Sequence, residues 1–268
     1  MTKLFHFSPG AKLRYRRLQF GAAFTLCLTA ANLTAAAPQL PVNLGAAGHF
    51  AVLGASTVTN TGTTPGTVIN GDLGVSPGTA VTGFKPVPLA GPGVVNGTIY
   101  TPLLICSPTA CLAQPNTVAA DGQAALTSAI NDAARRKSVP PNAPISNLGG
   151  STLTPGLYTS ATTVELTGDL TLHGKGVYIF QIGSGLTVNN SARVFLTGGA
   201  QAVDVFWNVG TAATLGTDVA FQGNILAGAE ITMAERTTLV GRALGKTGVT
   251  FISNTVTLPT TGGTGPKK

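Results

Sequence analysis

Charge is what this sequence has least of: only 9% of its 268 residues are Asp, Glu, Lys or Arg, against roughly 25% in an ordinary globular domain. A chain so poor in charge and 43% apolar is not a disordered polyelectrolyte. Its formal net charge of +7 suggests a nucleic-acid partner, but Lys3, Lys12, Arg14, Arg16 and Arg17 fall in the first 37 residues with no acid among them. The remainder holds 11 basic and 9 acidic residues, too even a balance for binding phosphate backbones, so no nucleic-acid partner is expected. Beyond residue 37 there are only Cys106, Cys111, His49 and His173, a poor zinc set, so neither a metal nor another cofactor is expected. Carboxylates are equally sparse, and none clusters in sequence with His or Lys as polysaccharide cleavage requires. Asp72, in Asn70-Gly71-Asp72-Leu73-Gly74, is expected to bond local backbone as a turn acid, and Glu165 and Asp169 are four apart where strands do not bring them together. No nucleophile elbow, zinc motif or phosphate loop is present. The reading is a protein that is not an enzyme and has no small-molecule substrate.

The basic excess at the start precedes an apolar run from Leu18 to Leu33 and the small residues Ala35-Ala36-Ala37, the pattern of a secretory signal peptide over 1–37 cleaved near Ala37. The run is shorter than the roughly 20 residues of a membrane span. A secreted, extracellular chain leaves Cys106 and Cys111 in an oxidising space, separated by Ser-Pro-Thr-Ala, where a disulfide between them is expected. Residues 38–258 read as one domain, and 259–268 as a flexible tail. Leu258-Pro259-Thr260-Thr261-Gly262 matches a sortase sorting pattern, but no hydrophobic span follows it, so a disordered tail is the expectation.

Threonine alternates with apolar residues in short runs bounded by Gly, Asn or Pro, which reads as β structure. The runs include Phe50 to Val58, Val177 to Ile182, Leu186 to Val188, Val194 to Thr197, Val203 to Val209, Val219 to Leu226, Thr237 to Leu244 and Val249 to Leu258. No strict period declares a regular solenoid. Small inward residues, few aromatics and corners such as Asn189-Asn190, Gly198-Gly199 and Gly223-Asn224 nevertheless favour a narrow β-helix over a sandwich. One stretch, 117–136, is Ala-rich with Val118, Ala125, Leu126, Ala129, Ile130 and Ala133 at helical spacing, predicting one amphipathic helix lying on the β body. Asn116 or Thr117 would cap its start, Pro140-Pro141 would end it, and Arg135, Arg136 and Lys137 would form a solvated end.

Several blocks together resemble the microbial ice-binding protein family. They are Phe50-Ala51-Val52-Leu53, Ser56-Thr57-Val58-Thr59-Asn60-Thr61-Gly62, Ile69-Asn70-Gly71-Asp72-Leu73-Gly74-Val75-Ser76-Pro77-Gly78, Leu153-Thr154-Pro155-Gly156-Leu157-Tyr158, Gly176-Val177-Tyr178-Ile179-Phe180-Gln181-Ile182, Val205-Phe206-Trp207-Asn208-Val209-Gly210 and Gly241-Arg242-Ala243-Leu244. The resemblance implies a mainly β fold: a right-handed discontinuous β-helix of triangular section with one long α-helix alongside and the N-terminal strands completing the stack. It also places Cys106 to Pro115 in the segment between the first strands and the long helix, which the disulfide would staple.

The function the resemblance implies is adsorption to ice, inhibiting growth and recrystallisation, through a flat face carrying the motif Thr, Ala or Gly, any residue, then Thr or Asn. Thr79-Ala80-Val81-Thr82, Thr211-Ala212-Ala213-Thr214 and Thr247-Gly248-Val249-Thr250 fit it, so Thr79, Ala80, Thr82, Thr211, Ala212, Thr214, Thr247 and Thr250 are the candidate ice-contacting residues. The pattern is cheap, since Thr29-Ala30-Ala31-Asn32, Thr61-Gly62-Thr63-Thr64 and Thr261-Gly262-Gly263-Thr264 also match. The expected partner is an ice crystal surface and the expected state a monomer. A secreted β-helical adhesion or envelope module without ice activity is the alternative reading.

Overall fold

The computed structural model describes residues 38–63, 65–85, 91–137 and 144–259; the leader, Pro140-Pro141 and the tail from Thr260 lie outside these residues. From Thr152 onward the chain winds through three faces, and every strand pairing in that stack is parallel. The first face contains Gly156–Ser160, Tyr178–Ile182, Val205–Val209 and the C-terminal parts of Ala220–Ala227 and Thr238–Gly245. The second contains Val164–Leu166, Leu186–Val188, Ala213–Leu215, Ile231–Met233 and Gly248–Phe251. Thr152–Leu153, Leu170–His173, Val194–Thr197, the N-terminal parts of the two eight-residue strands, and Thr255–Thr257 contribute to the third.

The start of the chain then continues the stack laid down by its end. Phe50–Gly54 pairs with Thr238–Gly245 on one side and Asp72–Val75 on the other, and Thr57–Asn60 sits between Gly248–Phe251 and Ala80–Thr82. This makes the β-helix discontinuous. The expected single runs Phe50 to Val58 and Val249 to Leu258 are each two strands, broken where the chain turns a corner at Ala55-Ser56 and at Ile252 to Asn254. Ser191, Asp218, Arg236 and Ser253 turn the corresponding corner of successive coils with φ between 54° and 61°. Gly223-Asn224 is a corner of another kind, passed inside one continuous strand: Gly241 stacks so closely over Gly223 that a Cβ there would strike the Gly223 carbonyl.

Apolar side chains fill the interior at alternate positions, and four aromatics stack through it from coil to coil. Tyr158 lies on Phe180 with centroids 5.3 Å apart, Phe180 on Trp207 at 3.9 Å, and Trp207 against Phe221 at 4.9 Å. Trp207 Nε1 donates to the Gln222 carbonyl at 3.0 Å, so its one polar atom is satisfied.

The helix α1, Val118–Arg135, covers the first face. Its Ala119, Leu126, Ala129 and Ala133 pack on Phe50, Leu53, Ile179, Phe206, Leu226 and Leu244. At Gly122 the approach is closest, since a Cβ there would come 2.7 Å from the Phe50 ring. The buried stripe differs from the expected one: Val118 is 40% exposed, while Gly122 and Gln123 face inward. Gln123 can occupy a buried place because its Nε2 donates to the Gly245 carbonyl at 3.1 Å. Thr117 stands at the cap position but its hydroxyl donates to Asp121, and Asn116 donates to the Thr101 carbonyl, so neither side chain caps backbone N–H groups.

At the basic C-terminal end Arg135 and Lys137 are exposed as expected, and Arg136 differs. Arg136 forms a two-point ion pair with Asp132 at 2.7–2.9 Å and donates to the carbonyls of Leu40 and Pro41. It ties the N-terminal segment to the helix, because that segment offers free carbonyls beside it. The Arg136 guanidinium holds the Asp132 carboxyl below its ordinary value. The pair's contribution is therefore present above the unfolded carboxylate range and is lost as the pH falls through the depressed folded value. The protection factors of the amides between residues 40 and 44 are expected to fall under such acid conditions, and Arg136→Ala should show that loss of protection already at pH 7.

Leu104–Cys106 and Cys111–Ala113 form an antiparallel hairpin in which Cys106 and Cys111 are directly paired and joined by a disulfide, as expected. The hairpin extends the sheet beyond Ile99–Tyr100, away from the second face. Closing so short a loop restrains the unfolded chain by about 2 kcal/mol. Cys106→Ser with Cys111→Ser should lower stability by about that amount in denaturant titration, with the surface of the second face unchanged.

Candidate functional site

On the second face the parallel register alternates buried apolar residues with outward ones, and the outward residues line up. Glu165, Thr187, Thr214, Thr232, Thr250, Thr59 and Thr82 are successive partners across seven strands. Six threonines thus stand in one row, about 4.8 Å from each to the next. Beneath them Leu186, Ala213, Ile231, Val249, Val58 and Val81 point into the core. A second outward row lies two residues earlier on each strand, including Gly185, Ala212, Gly248, Thr57 and Ala80, with Glu230 the one bulky member among the central coils. Small residues there keep the surface flush with the threonine methyls. Threonine is stiff at χ1, so the row is ordered before anything binds.

Hydroxyl partners divide the row. Thr82 Oγ1 donates to Thr59 Oγ1 at 3.2 Å, Thr59 shares a hydrogen bond with Thr57 at 3.0 Å, and Thr250 donates to Glu230 Oε1 at 2.8 Å. A shallow groove runs beside Thr187 and Thr214, lined by Thr167, Asn189, Asn190 and Gly216.

Of the residues expected from the motif, Thr82, Thr214 and Thr250 lie in the threonine row, and Ala80 and Ala212 in the row of small residues. Thr79, Thr211 and Thr247 are one residue earlier, at the corner entering the face, where the backbones of Thr211 and Thr247 are linked through Ala229. The motif missed Thr59, Thr187 and Thr232, which have Ser56, Ser184 and Ala229 three residues earlier where the motif requires threonine. The better signal is a threonine between two inward residues, as in Leu186-Thr187-Val188, Ile231-Thr232-Met233 and Val58-Thr59-Asn60. Thr61-Gly62-Thr63 falls beyond the strand, and the matches in the leader and tail lie outside the described residues.

The other two faces offer no such surface. The first is beneath α1, and the third carries Phe195 at 42% and Val240 at 38% exposure among threonines, with His173 and Arg193 alongside.

A flat, uncharged row of in-register threonines on a discontinuous β-helix agrees with the comparison with known families, in which residues 52–257 match the Ice-binding-like family. The chain belongs to the Ice-binding-like family. The chain is 42% identical over 221 residues to an ice-binding protein of Nostoc sp. (strain HG1), covering 80% of this chain and 72% of the relative. An ice-binding protein of Flavobacterium frigoris (strain PS1) is 36% identical over 224 residues, 81% of this chain and 76% of that one. Among solved structures, an ice-binding protein from an Antarctic biological consortium superposes with a TM-score of 0.71 at 39% identity, covering 84% of this chain and 94% of the other.

Asp72 behaves differently from the local turn acid expected: its Oδ1 accepts from Thr98 N at 2.8 Å, bonding the next coil rather than its own turn. A carboxylate facing along the stack finds its nearest free N–H there.

Proposed function

We propose that this member of the ice-binding family is a secreted protein that adsorbs to ice through its second face, slowing ice growth and recrystallisation. The observation that carries the reading is the row Thr187, Thr214, Thr232, Thr250, Thr59 and Thr82. Its methyls and hydroxyls at a regular spacing can hold water in an ice-like layer that merges with the crystal lattice. Ice growing between adsorbed molecules must bulge, and a curved front melts at a lower temperature. The row is complete within one chain, so a monomer suffices. Export is supported by the leader pattern and by the closed Cys106–Cys111 bond.

No catalysis is part of this reading. Asp132, Asp218 and Glu235 are paired with arginines, and Asp72 and Asp169 accept from backbone N–H groups. Burial pushes the Asp204 carboxyl up, with the Lys175 charge opposing it, but no His, Cys, Asp or Glu cluster able to hold a metal occurs among the described residues.

The test is to grow a polycrystalline ice hemisphere from a dilute solution of the fluorescently labelled protein. Enrichment of fluorescence in the ice over the liquid is expected. Exclusion of the folded protein from the ice overturns the reading and leaves a β-helix whose surface serves adhesion.

A further inference from the structure

The second outward row of the threonine face holds Gly185, Ala212, Glu230, Gly248, Thr57 and Ala80 at equivalent places in successive coils. Five of these are small. Glu230 is an exposed carboxylate near the middle of the row, between the strands that carry Thr214 and Thr250. Its Oε1 accepts the Thr250 hydroxyl at 2.8 Å, which turns that hydroxyl along the face instead of outward.

Among the described residues Glu230 forms no ion pair. The flanking segments Thr211 to Leu215 and Thr247 to Phe251 carry no charged residue. Lys246, at the entrance to the second of them, sends its Nζ to Gln123 and Thr127 on α1. Beyond the far end of Ile231–Met233, Glu235 and Asp218 share Arg236. The other acid on this face, Glu165, is three strands away at the end of the threonine row.

We propose that Glu230 sets how strongly this face takes up ice, its carboxylate weakening adsorption and replacement by a neutral side chain strengthening it. This rests on the threonine face being the adsorbing surface. A carboxylate binds water tightly and in its own geometry, and stripping that water without a counter-charge is costly. Water around Glu230 therefore interrupts the layer that Thr214, Thr232 and Thr250 order on either side.

The experiment measures capture of the purified protein and its variants in an ice hemisphere at pH 7, with circular dichroism and melting temperature recorded for each. Glu230→Gln keeps an acceptor for Thr250 and should give about twofold higher capture than the wild type, given the hydration cost removed. Glu230→Ala should do the same with a flatter surface, while Glu165→Gln, at the end of the row, should leave capture near the wild-type level. A folded Glu230→Gln protein with wild-type capture overturns the proposal. Thr214→Tyr separates the two levels: if it leaves capture unchanged, the adsorbing face is elsewhere and the role of Glu230 falls with it. If it abolishes capture while Glu230→Gln changes nothing, the role of Glu230 alone is lost.

Discussion

Thr214→Tyr is expected to remove ice capture while leaving the fold intact. Thr214 stands in the middle of the threonine row, exposed, with its backbone held on both sides by Thr187 and Thr232 and its neighbours Ala213 and Leu215 buried. A tyrosine there has no core to disturb. It projects a ring above a surface that, Glu230 apart, is levelled around it by threonine, alanine and glycine, and so holds the neighbouring threonines away from the lattice. Because adsorption of a rigid face to a rigid crystal gives no room for repacking, capture should fall about tenfold or more, equivalent to about 1.4 kcal/mol of adsorption energy. Thr82→Tyr, at the end of the row, should cost less than Thr214→Tyr. Val240→Tyr on the third face should leave capture at the wild-type level. Equal capture by all three proteins, each folded by circular dichroism, overturns the assignment of the face.

Trp207→Ala is expected to be the most destabilising single change in the β-helix. The indole is fully buried, sandwiched between Phe180 and Phe221, and its N–H satisfies the Gln222 carbonyl. Truncation removes the largest side chain of the interior, opens a cavity and leaves a buried carbonyl unpaired, together costing about 3–5 kcal/mol. In a chain of this size that corresponds to a fall in melting temperature of about 10 °C or more by calorimetry. Below its melting temperature the variant should still be captured in ice, because the threonine row hangs on strands whose own inward residues are untouched. Trp207→Phe retains the stack and should lose much less. A Trp207→Ala protein with unchanged melting temperature contradicts the packing described.

Much of the architecture was legible because it is local. The extent of α1 follows from an 18-residue stretch of alanine-rich periodic sequence, and the Cys106–Cys111 bond joins residues five apart. The stripe of α1 was legible only approximately. Val118 fits the helical period but points outward, and Gln123 breaks the hydrophobic pattern but faces inward because Gly245 supplies its partner. Arg136 resembles any basic helix end until the carbonyls of Leu40 and Pro41, which come from the far side of the helix sequence, are seen beside it.

The threonine face was less legible, for reasons of both spacing and order. The outward residues Glu165, Thr187, Thr214, Thr232 and Thr250 are 22, 27, 18 and 18 residues apart, since corners and an inserted turn vary the coil length while the strands stay in register. No fixed period marks them. Thr250 and Thr59, from opposite ends of the chain, are immediate neighbours, and Thr59 adjoins Thr82. A four-residue motif finds half of such a row and gives equal weight to matches that fall at corners.

By itself the sequence determined the class of the molecule: β-rich, with one amphipathic helix, one disulfide, little charge, and the ordered blocks of a recognisable family. Those properties depend on composition and on contacts within a few residues, which any reading along the chain can reach. Only the tertiary structure decided which of the many threonines share a surface, that a glutamate stands among them, and which face α1 leaves open. These depend on the register between strands distant in sequence, and that register is set by how the two ends of the chain stack on a common core.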